Sequence, residues 1–265
     1  MPHFPQLTTG VSGQYPLLKR RRIRVIRNEL ADGSRVLATD AGADAVQWDL
    51  HWTGLTGAEW QNLETFFKQR EGRLGNFTFL DPSDNLLAWS EDFSASEWEK
   101  GPLLQLAGGV SDPLGGSAAY RITNSGQSSQ DLTQAVQGTG TFHYSFSVHA
   151  RSDQPAGVTL VRSTASSSQS SSHPLTATWG RLLSTGNLGA NEEPVSFAMR
   201  LDPGATVELF GAQVQAQPAL SAYRKTLSRG GVYTKTRFAD DRLGVVAEGP
   251  DQISAVVRIV TGGRE

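Results

Sequence analysis

Cysteine is absent from the 265-residue chain, and methionine occurs only twice. Without cysteine the protein can form no disulfide, use no thiolate nucleophile and hold no metal through cysteine. Apolar runs are also short, because no stretch approaches the roughly 18 residues of a membrane-spanning helix. The N-terminal MPHFPQLTTG lacks a basic segment followed by an apolar one. We therefore expect a protein made in the cytoplasm, without a membrane span or a signal peptide.

Catalytic signatures are missing as well. His143 and His149 share one predicted strand face, but a rise of about 3.3 Å per residue places them about 20 Å apart, too far to ligate one metal. The sequence contains no HExxH, GxSxG, Walker or GxGxxG motif. The neighbouring carboxylates of Asp240-Asp241 and Glu192-Glu193 alternate between faces and predict solvated turns. We expect no enzyme, no cofactor and no metal site. A polysaccharide-degrading enzyme whose carboxylates come from distant positions remains an alternative.

The net charge of −2 is unevenly distributed. Residues 85–223 contain 6 Lys+Arg against 11 Asp+Glu, whereas the remainder contains 18 against 15. One basic run, KRRR at 19–22, has no aromatic residues interleaved with it. It indicates a solvated strand start or a subunit contact, so direct nucleic-acid binding is not expected. The charge difference suggests two parts of different kinds.

Periodic patterns place strands and one helix in the first third of the chain. RIRVIR at 22–27 alternates charged and β-branched residues, and Asp32-Gly33 predicts the turn of a hairpin. Apolar residues then alternate along 46–52. Thr56 and Glu59 have the spacing of a capping box, and helical periodicity continues to Gly72, which predicts the end of the helix.

Three other segments give less regular signals. The first 20 or so residues predict an extended arm that needs a neighbour to be ordered. Residues 163–173, STASSSQSSSH, are too polar to offset their ordering entropy and predict a mobile loop. Strands after Gly231 are too few to bury a core alone, so we expect them to complete the sheet begun in residues 20–80. The middle of the chain would then be an insertion whose ends lie close together.

Short alternating segments in the middle of the chain predict a β-sandwich. The clearest is FHYSFSVHAR at 142–151. Its aromatic residues and Val148 point to one face, which we expect to be core. The other face is polar and is expected to contact water; it comprises His143, Ser145, Ser147, His149 and Arg151.

Tryptophans near the start of this part favour carbohydrate binding. The apolar face of a sugar ring stacks on Trp or Tyr, while polar groups bind its hydroxyls. Trp98 and Trp89 are placed where a loop can offer an indole to solvent, although packing in the core is the alternative for both, as it is for Trp179. The candidate carbohydrate-binding residues are Trp98, Trp89, His143, His149 and Arg151.

Two stretches make the middle of the chain resemble the carbohydrate-binding-like jelly rolls of bacteriophage tail and structural proteins. NLLAWSEDFSASEW at 85–98 resembles their NLL-x-x-S-E-x-F-x-x-x-x-W opening, and VELFGAQVQAQPALSAYRKT at 207–226 resembles their closing strand. The closing run departs from the family pattern. Gln215 stands where an acidic residue is frequent, and Arg224-Lys225 stand where Ile-Pro is frequent.

The flanks, 1–84 and 224–265, are similar to the distal tail protein family of long-tailed bacteriophages and gene transfer agents. The similarity lies in the order of QWDLHW, LETFFKQREGRLGNFTFLDP and KTRFADDRLGVVAEG. It implies a mainly β protein, in which a β-sandwich ring domain with one helix carries an inserted jelly roll at 85–223.

A resemblance of this kind also implies partners and a location. The chain would be a structural virion protein at the tail tip, assembled as a homo-oligomeric ring, expected to be a hexamer. It would join the tail tube protein to the tail hub and baseplate proteins, while its insert touches host cell-surface polysaccharide. Alternatively, the insert is a spacer or a docking site for another protein.

Overall fold

The computed structural model describes residues 1–40, 45–189 and 192–262. The described residues form 18 strands and one helix and divide into two compact units. The flanking unit comprises residues 1–8, 12–79 and 233–265, and the inserted unit comprises residues 9–11 and 80–232. The predicted insertion 85–223 therefore falls inside the inserted unit, and the mainly β class is confirmed.

The elements follow one another in simple chain order. They are β1 (Gln14–Arg22), β2 (Val25–Glu29), β3 (Arg35–Thr39), β4 (Ala45–Leu55), α1 (Gly57–Gln69), β5 (Phe77–Leu80), β6 (Glu99–Lys100), β7 (Leu104–Val110), β8 (Ala119–Asn124), β9 (Gln130–Val136), β10 (Tyr144–Arg151), β11 (Gly157–Ser163), β12 (Ser168–Pro174), β13 (Gly180–Gly186), β14 (Val195–Leu201), β15 (Thr206–Gln215), β16 (Val232–Phe238), β17 (Val245–Gly249) and β18 (Gln252–Gly262).

The flanking unit is built on a sheet of order β1-β4-β18-β16-β5, with β17 paired to β18. Strand β18 lies beside β4 in antiparallel register, with Val257 opposite Leu50 and Ile259 opposite Trp48. These apolar pairs give the sheet one buried face. The C-terminal strands thus complete the N-terminal sheet, as the sequence predicted.

Helix α1 begins with the predicted capping box. The Thr56 hydroxyl accepts a hydrogen bond from the Glu59 amide at 3.2 Å, and the Glu59 carboxylate accepts one from the Thr56 amide at 3.1 Å. The chain leaves the helix through residues in the left-handed region, with φ of 61° at Gly72. Leu63 and Phe66 are buried on the inner face.

The N-terminal arm is part of the flanking core, so the prediction that it needs a neighbour to be ordered is wrong. Phe4 is 1% exposed, and its ring lies 6.3 Å from Trp52 and 5.9 Å from Phe66. The Thr8 hydroxyl donates to Glu59 at 2.6 Å. A single aromatic anchor has no periodicity, which is why the sequence pattern did not reveal this packing.

Strands β2 and β3 form the predicted hairpin around Gly33, whose φ is 79°. Every residue of both strands is exposed. Among the described residues, β2 and β3 pair only with each other and form a separate two-stranded sheet. Val25 is 53% exposed and Leu37 is 67% exposed, so the hairpin presents apolar side chains to solvent.

The inserted unit is a sandwich of two antiparallel sheets. One has the order β13-β10-β15-β8-β7, and the other has the order β12-β11-β14-β9-β6. From β8 to β15 the chain crosses between sheets at most connections, as in a jelly roll. The inner faces share one core whose large members include Trp98, Tyr144, Phe146 and Phe197. The predicted sandwich is therefore confirmed.

Asn85 joins the beginning of the inserted unit to its end. Its amide nitrogen donates to the carbonyls of Ala212 at 2.9 Å and Arg224 at 3.2 Å, and its side-chain oxygen accepts from the Val214 amide at 3.0 Å. Its own carbonyl accepts from Gly231 at 2.7 Å. The two ends of the unit consequently lie side by side, as expected for an insertion.

The serine-rich segment is a strand rather than the predicted mobile loop. β12 pairs with β11 along its length, with Ser170 opposite Val161 and Ser172 opposite Thr159. Backbone pairing with β11 orders this edge of the sheet, although the serine side chains bury little apolar area. Composition predicted the polarity of the segment correctly and its order incorrectly.

Candidate functional site

A cavity of about 260 Å³ opens on the surface of the inserted unit, and we call it the Trp89 cavity. Three stretches of chain form its wall: the loop that follows β5, the β7–β8 hairpin, and the segment after Tyr223 that leads back towards β16. The polar and aromatic side chains that line it are Trp89, Glu91, Asp92, Ser117, Tyr120, Lys225 and Thr226.

Trp89 is held in an unusual backbone conformation. Its φ is 47°, a left-handed value that costs a non-glycine residue about 1–3 kcal/mol. Its amide donates to the carbonyl of Leu227 at 2.7 Å, and its carbonyl accepts from the amide of Asp92 at 3.1 Å. These backbone bonds hold the loop that places the partly exposed indole at the wall of the cavity.

Trp98 is not a surface residue, and the prediction that it offers its indole to solvent is wrong. It is 1% exposed and meets Phe93 edge-on at 5.2 Å. Its indole N–H donates to the Trp89 carbonyl at 3.1 Å. Trp98 therefore anchors in the core the loop that presents Trp89, because one end of its ring packs and the other end finds a buried acceptor.

Asp92 and Tyr120 form a fixed polar pair in the cavity. The Tyr120 hydroxyl donates to Asp92 Oδ1 at 2.8 Å, and the Ser94 amide donates to the same oxygen at 3.0 Å. Hydrogen bonds from Ser94 and Tyr120, the former the stronger, hold the pKa of Asp92 below its ordinary value. Asp92 is thus ionised at neutral pH, and Oδ2 accepts none of these hydrogen bonds.

Glu91 and Lys225 form an ion pair across the cavity wall. The Glu91 side chain is 12% exposed and also accepts a hydrogen bond from the Tyr223 hydroxyl at 3.2 Å. Tyr223 in turn contacts the Ser90 hydroxyl at 2.8 Å. This network connects the end of the inserted unit to its first loop. Within it, Glu91 and Lys225 largely neutralise each other's charge.

The serines on the polar face of β10 are buried, whereas His143, His149 and Arg151 are partly exposed, so the expectation of a water-facing surface is wrong for the serines. Ser145 and Ser147 are both 0% exposed. The Ser145 hydroxyl donates to the Gln217 carbonyl at 2.7 Å, and Ser147 accepts from Arg181 at 3.1 Å. The segment after β15 supplies the acceptor for Ser145, and the neighbouring strand β13 supplies the donor for Ser147. The polar alternation along β10 therefore marks a face whose serines are hydrogen-bonded to other parts of the protein rather than to water.

The predicted histidines do not reach the Trp89 cavity. His149 lies 5.9 Å from the Phe210 ring and 6.1 Å from the Tyr223 ring, and its Nδ1 has no hydrogen-bond partner in the described part of the chain. Burial, with Arg181 beside it, lowers the pKa of His149. Burial and the nearby Arg162 lower the pKa of His143 too. Neither histidine lines the cavity, so their predicted place in a joint site with Trp89 is not found.

Arg151 belongs to a separate charged cluster on the inserted unit. It donates to Glu208 at 2.7 Å, and Arg121 donates to the same carboxylate at 2.6 Å. The Arg151 guanidinium lies over the Trp179 ring at 4.8 Å. Glu208 balances one of the two charges, and Trp179 has one face covered. Of the predicted residues, Trp89 alone lies in the cavity.

Sequence reasoning missed the polar half of the cavity. Asp92 and Glu91 stand beside Trp89 in SEDF, so an acidic pair next to a candidate aromatic platform was a usable local signal. Tyr120 and Lys225 gave no such signal, because folding brings them from distant parts of the chain.

No group of three or more potential ligands gathers among residues 1–40, 45–189 and 192–262. The single helix of those same residues is too short and polar to cross a membrane.

No protein-family model and no curated protein matches the sequence. Among solved structures, the chain is similar to the enzymatically active domain of bacteriophage CBA120 tailspike protein 4, at 11% identity and a TM-score of 0.40, over 52% of this chain and 22% of that one. It is also similar to TmCBM61 in complex with β-1,4-galactotriose, at 15% identity and a TM-score of 0.39, over 50% and 98% of the two chains.

A third similar structure is the CBM22-1 xylan-binding domain of Paenibacillus barcinonensis Xyn10C, with 14% identity, a TM-score of 0.41, and coverage of 51% and 97%. These identities and TM-scores are too low to carry an argument about what this chain binds. None of these three structures is a distal tail protein, so the resemblance of the flanks stays a prediction.

Proposed function

We propose that the inserted unit is a carbohydrate-binding module and that the Trp89 cavity is its site. One observation carries this proposal: two partly exposed aromatic side chains, Trp89 and Tyr120, line the same cavity as an ionised carboxylate with an unused oxygen. An aromatic face stacks on the apolar face of a sugar ring, and a carboxylate accepts from its hydroxyls. The strained backbone at Trp89 adds support, because such strain concentrates at functional sites.

Size and shape of the cavity suit a small saccharide. Its volume of about 260 Å³ lies just below the range of roughly 300–1,000 Å³ typical of sites for drug-sized ligands. One sugar ring of a longer chain would occupy it, while neighbouring rings extend over the surface. Binding at a single cavity is then weak, and repeated copies supply the avidity.

Binding without cleavage is the form of this function that we propose. A glycosidase needs a general acid with a raised pKa. Asp92 has a lowered pKa because Ser94 and Tyr120 donate to it. Glu97 also has a lowered pKa, because its own backbone amide and then Ser96 donate to it. Incubation with a bound polysaccharide should therefore release no new reducing ends, and any release would overturn this part of the proposal.

A glycan array probed with the full-length chain tests the proposal. Trp89→Ala should lower the affinity for any captured glycan at least tenfold, equivalent to about 1.4 kcal/mol. Trp179→Ala is the matched control, because Trp179 is also a partly exposed tryptophan of the inserted unit but lies outside the cavity. Equal loss in both variants, or no captured glycan, would reject the Trp89 cavity as a carbohydrate site.

For the flanking unit we propose self-assembly, on the observation that the β2–β3 hairpin exposes all its residues. An isolated two-stranded hairpin is marginally stable in water, so this one gains stability by packing its apolar side chains on another surface. Strand β1 lies at an edge of its sheet, which allows pairing with a second copy. Taken with the resemblance of the flanks, these features support a ring, expected to be hexameric, at the tail tip of a virion.

In that ring the flanking units would contact one another and would join the tail tube protein to the hub and baseplate proteins. Leu37→Asp should shift the full-length chain to monomer in light scattering. Leu74→Asp is the control, because Leu74 is 75% exposed on the loop after α1, away from the hairpin. A wild-type protein that stays monomeric at high concentration would reject self-assembly through the hairpin.

A further inference from the structure

Negative charge dominates the surroundings of the Trp89 cavity. Glu91 and Asp92 line it, and Glu97 follows on the same loop between β5 and β6. Asp112 adds a further carboxylate on the β7–β8 hairpin, where it accepts hydrogen bonds from three backbone amides. Lys225 is the one cationic residue in the lining.

The lysines near the cavity leave the carboxylates of Asp92 and Glu97 without a positively charged partner among the described residues. Lys225 is committed to its ion pair with Glu91. Lys100 donates at 2.8 Å to the Ser94 carbonyl rather than to a carboxylate. Asp92 and Glu97 receive hydrogen bonds from neutral donors, which include Ser94 and Tyr120 for Asp92. Within the part of the chain that the structure describes, neither Asp92 nor Glu97 forms an ion pair.

On this basis we infer that the Trp89 cavity selects sugar residues that carry a free, protonated amino group. The inference rests on the proposed function and names its substrate class: hexosamine-containing glycans with unacetylated amines. Asp92 Oδ2 offers an acceptor for an ammonium group, and a charge-assisted hydrogen bond is about twice as strong as a neutral one. Glu97 adds a second unpaired negative charge on the loop that carries Asp92.

Aromatic side chains reinforce this preference. A cation that lies within about 6 Å of an indole or phenol face is attracted by the ring quadrupole. Trp89 and Tyr120 both line the cavity, so an ammonium group on a stacked ring is favoured by the same surfaces that hold the ring. A uronic acid would instead place its carboxylate near Asp92 and Glu97 while Lys225 is already paired, and it should bind worst.

Three β-1,4-linked tetramers test the inference, because they differ only in the group on C2. They are the tetramers of glucose, of N-acetylglucosamine and of glucosamine, titrated calorimetrically into the full-length chain at low salt and a pH where the amine is protonated. Asp92 remains ionised there, since its pKa is lowered. The glucosamine tetramer should bind about tenfold more tightly than the glucose tetramer, a difference of about 1.4 kcal/mol.

Matched variants assign that preference to the cavity. Asp92→Asn and Glu97→Gln should each reduce the preference several-fold, and Glu97 is exposed enough that its replacement should leave folding intact. Asp153→Asn, which removes the same charge from an exposed site elsewhere on the inserted unit, should not reduce it. Trp89→Ala should abolish binding of every tetramer.

The outcomes separate the inference from the function on which it rests. Equal affinity for all three tetramers, lost in Trp89→Ala, would reject amine selection and leave carbohydrate binding in place. A preference that survives both Asp92→Asn and Glu97→Gln would also reject it, because the attraction would then come from the overall charge. If no glycan of any kind binds, the proposed function fails and the inference fails with it.

Discussion

Replacing Trp98 by alanine should unfold the inserted unit far more readily than replacing Trp89. Trp98 is 1% exposed within the core, and truncating such a side chain costs about 3–5 kcal/mol. Its hydrogen bond to the Trp89 carbonyl adds about 1 kcal/mol. Trp89 is partly exposed and packs only part of its indole against the core. We therefore expect a loss of about 4 kcal/mol for Trp98→Ala and about 2 kcal/mol for Trp89→Ala.

Hydrogen exchange of the full-length chain, read by mass spectrometry, measures this difference unit by unit. A loss of about 4 kcal/mol should accelerate exchange in the core strands β10 and β15 by roughly 10³-fold. Strands β4 and β18 of the flanking unit serve as the internal reference and should be unaffected. Slow exchange in β10 of Trp98→Ala, or equal acceleration in Trp89→Ala, would refute the assignment of one tryptophan to the core and the other to the cavity.

Two further predictions concern the packing of each unit. Phe4→Ala should destabilise the flanking unit by about 3–5 kcal/mol in the same exchange assay, because Phe4 is a central core aromatic, and protection of β4 unchanged from wild type would refute that role. Glu208 should make the inserted unit sensitive to acid: burial raises its pKa, but hydrogen bonds from Arg121 and Arg151 outweigh burial and leave the pKa below the ordinary 4.5. The ionised Glu208 carboxylate stabilises the fold by about 1.5 kcal/mol; this contribution is full above pH 4.5 and is lost as the pH falls through the lowered pKa. In melting curves, Glu208→Gln should therefore be less stable than wild type at neutral pH and should lose less stability on acidification. A pH profile unchanged from wild type would contradict this role.

Local interactions explain which parts of the fold the sequence predicted well. The capping box of Thr56 and Glu59 involves residues three positions apart, and the β2–β3 hairpin depends on one turn around Gly33. Asn85 marked the beginning of a new module through its family-like motif. The structure adds the reason, because Asn85 binds the chain at both ends of the insertion.

Long-range packing explains where prediction failed. Alternation along β10 identified its polar face correctly, but the groups that bind its serines come from elsewhere in the chain: Gln217, beyond β15, for Ser145 and Arg181, on β13, for Ser147. Phe4 likewise joins a core formed by α1, β4 and β5. Strand periodicity reports which side chains share a face, and it does not report what lies against that face.

The candidate site was half predictable for the same reason. The sequence predicts the same role, a platform for a sugar ring, for Trp89 and Trp98, because both lie near the start of the inserted part, where a loop can offer an indole to solvent. Burial separates them: Trp98 supports the loop from the core while Trp89 lines the cavity. Lys225, which departs from the family pattern, forms an ion pair with Glu91, so the departure falls at the site.

The central claim is that sugar binds in the Trp89 cavity, and fluorine NMR of the full-length chain labelled with 5-fluorotryptophan tests it most directly. The chain has six tryptophans, so each resonance can be assigned by single Trp→Phe replacement. Addition of a bound glycan should shift the Trp89 resonance strongly and leave the Trp179 resonance in place. A shift at Trp179 with none at Trp89 would contradict the account and move the site to the Arg151 cluster.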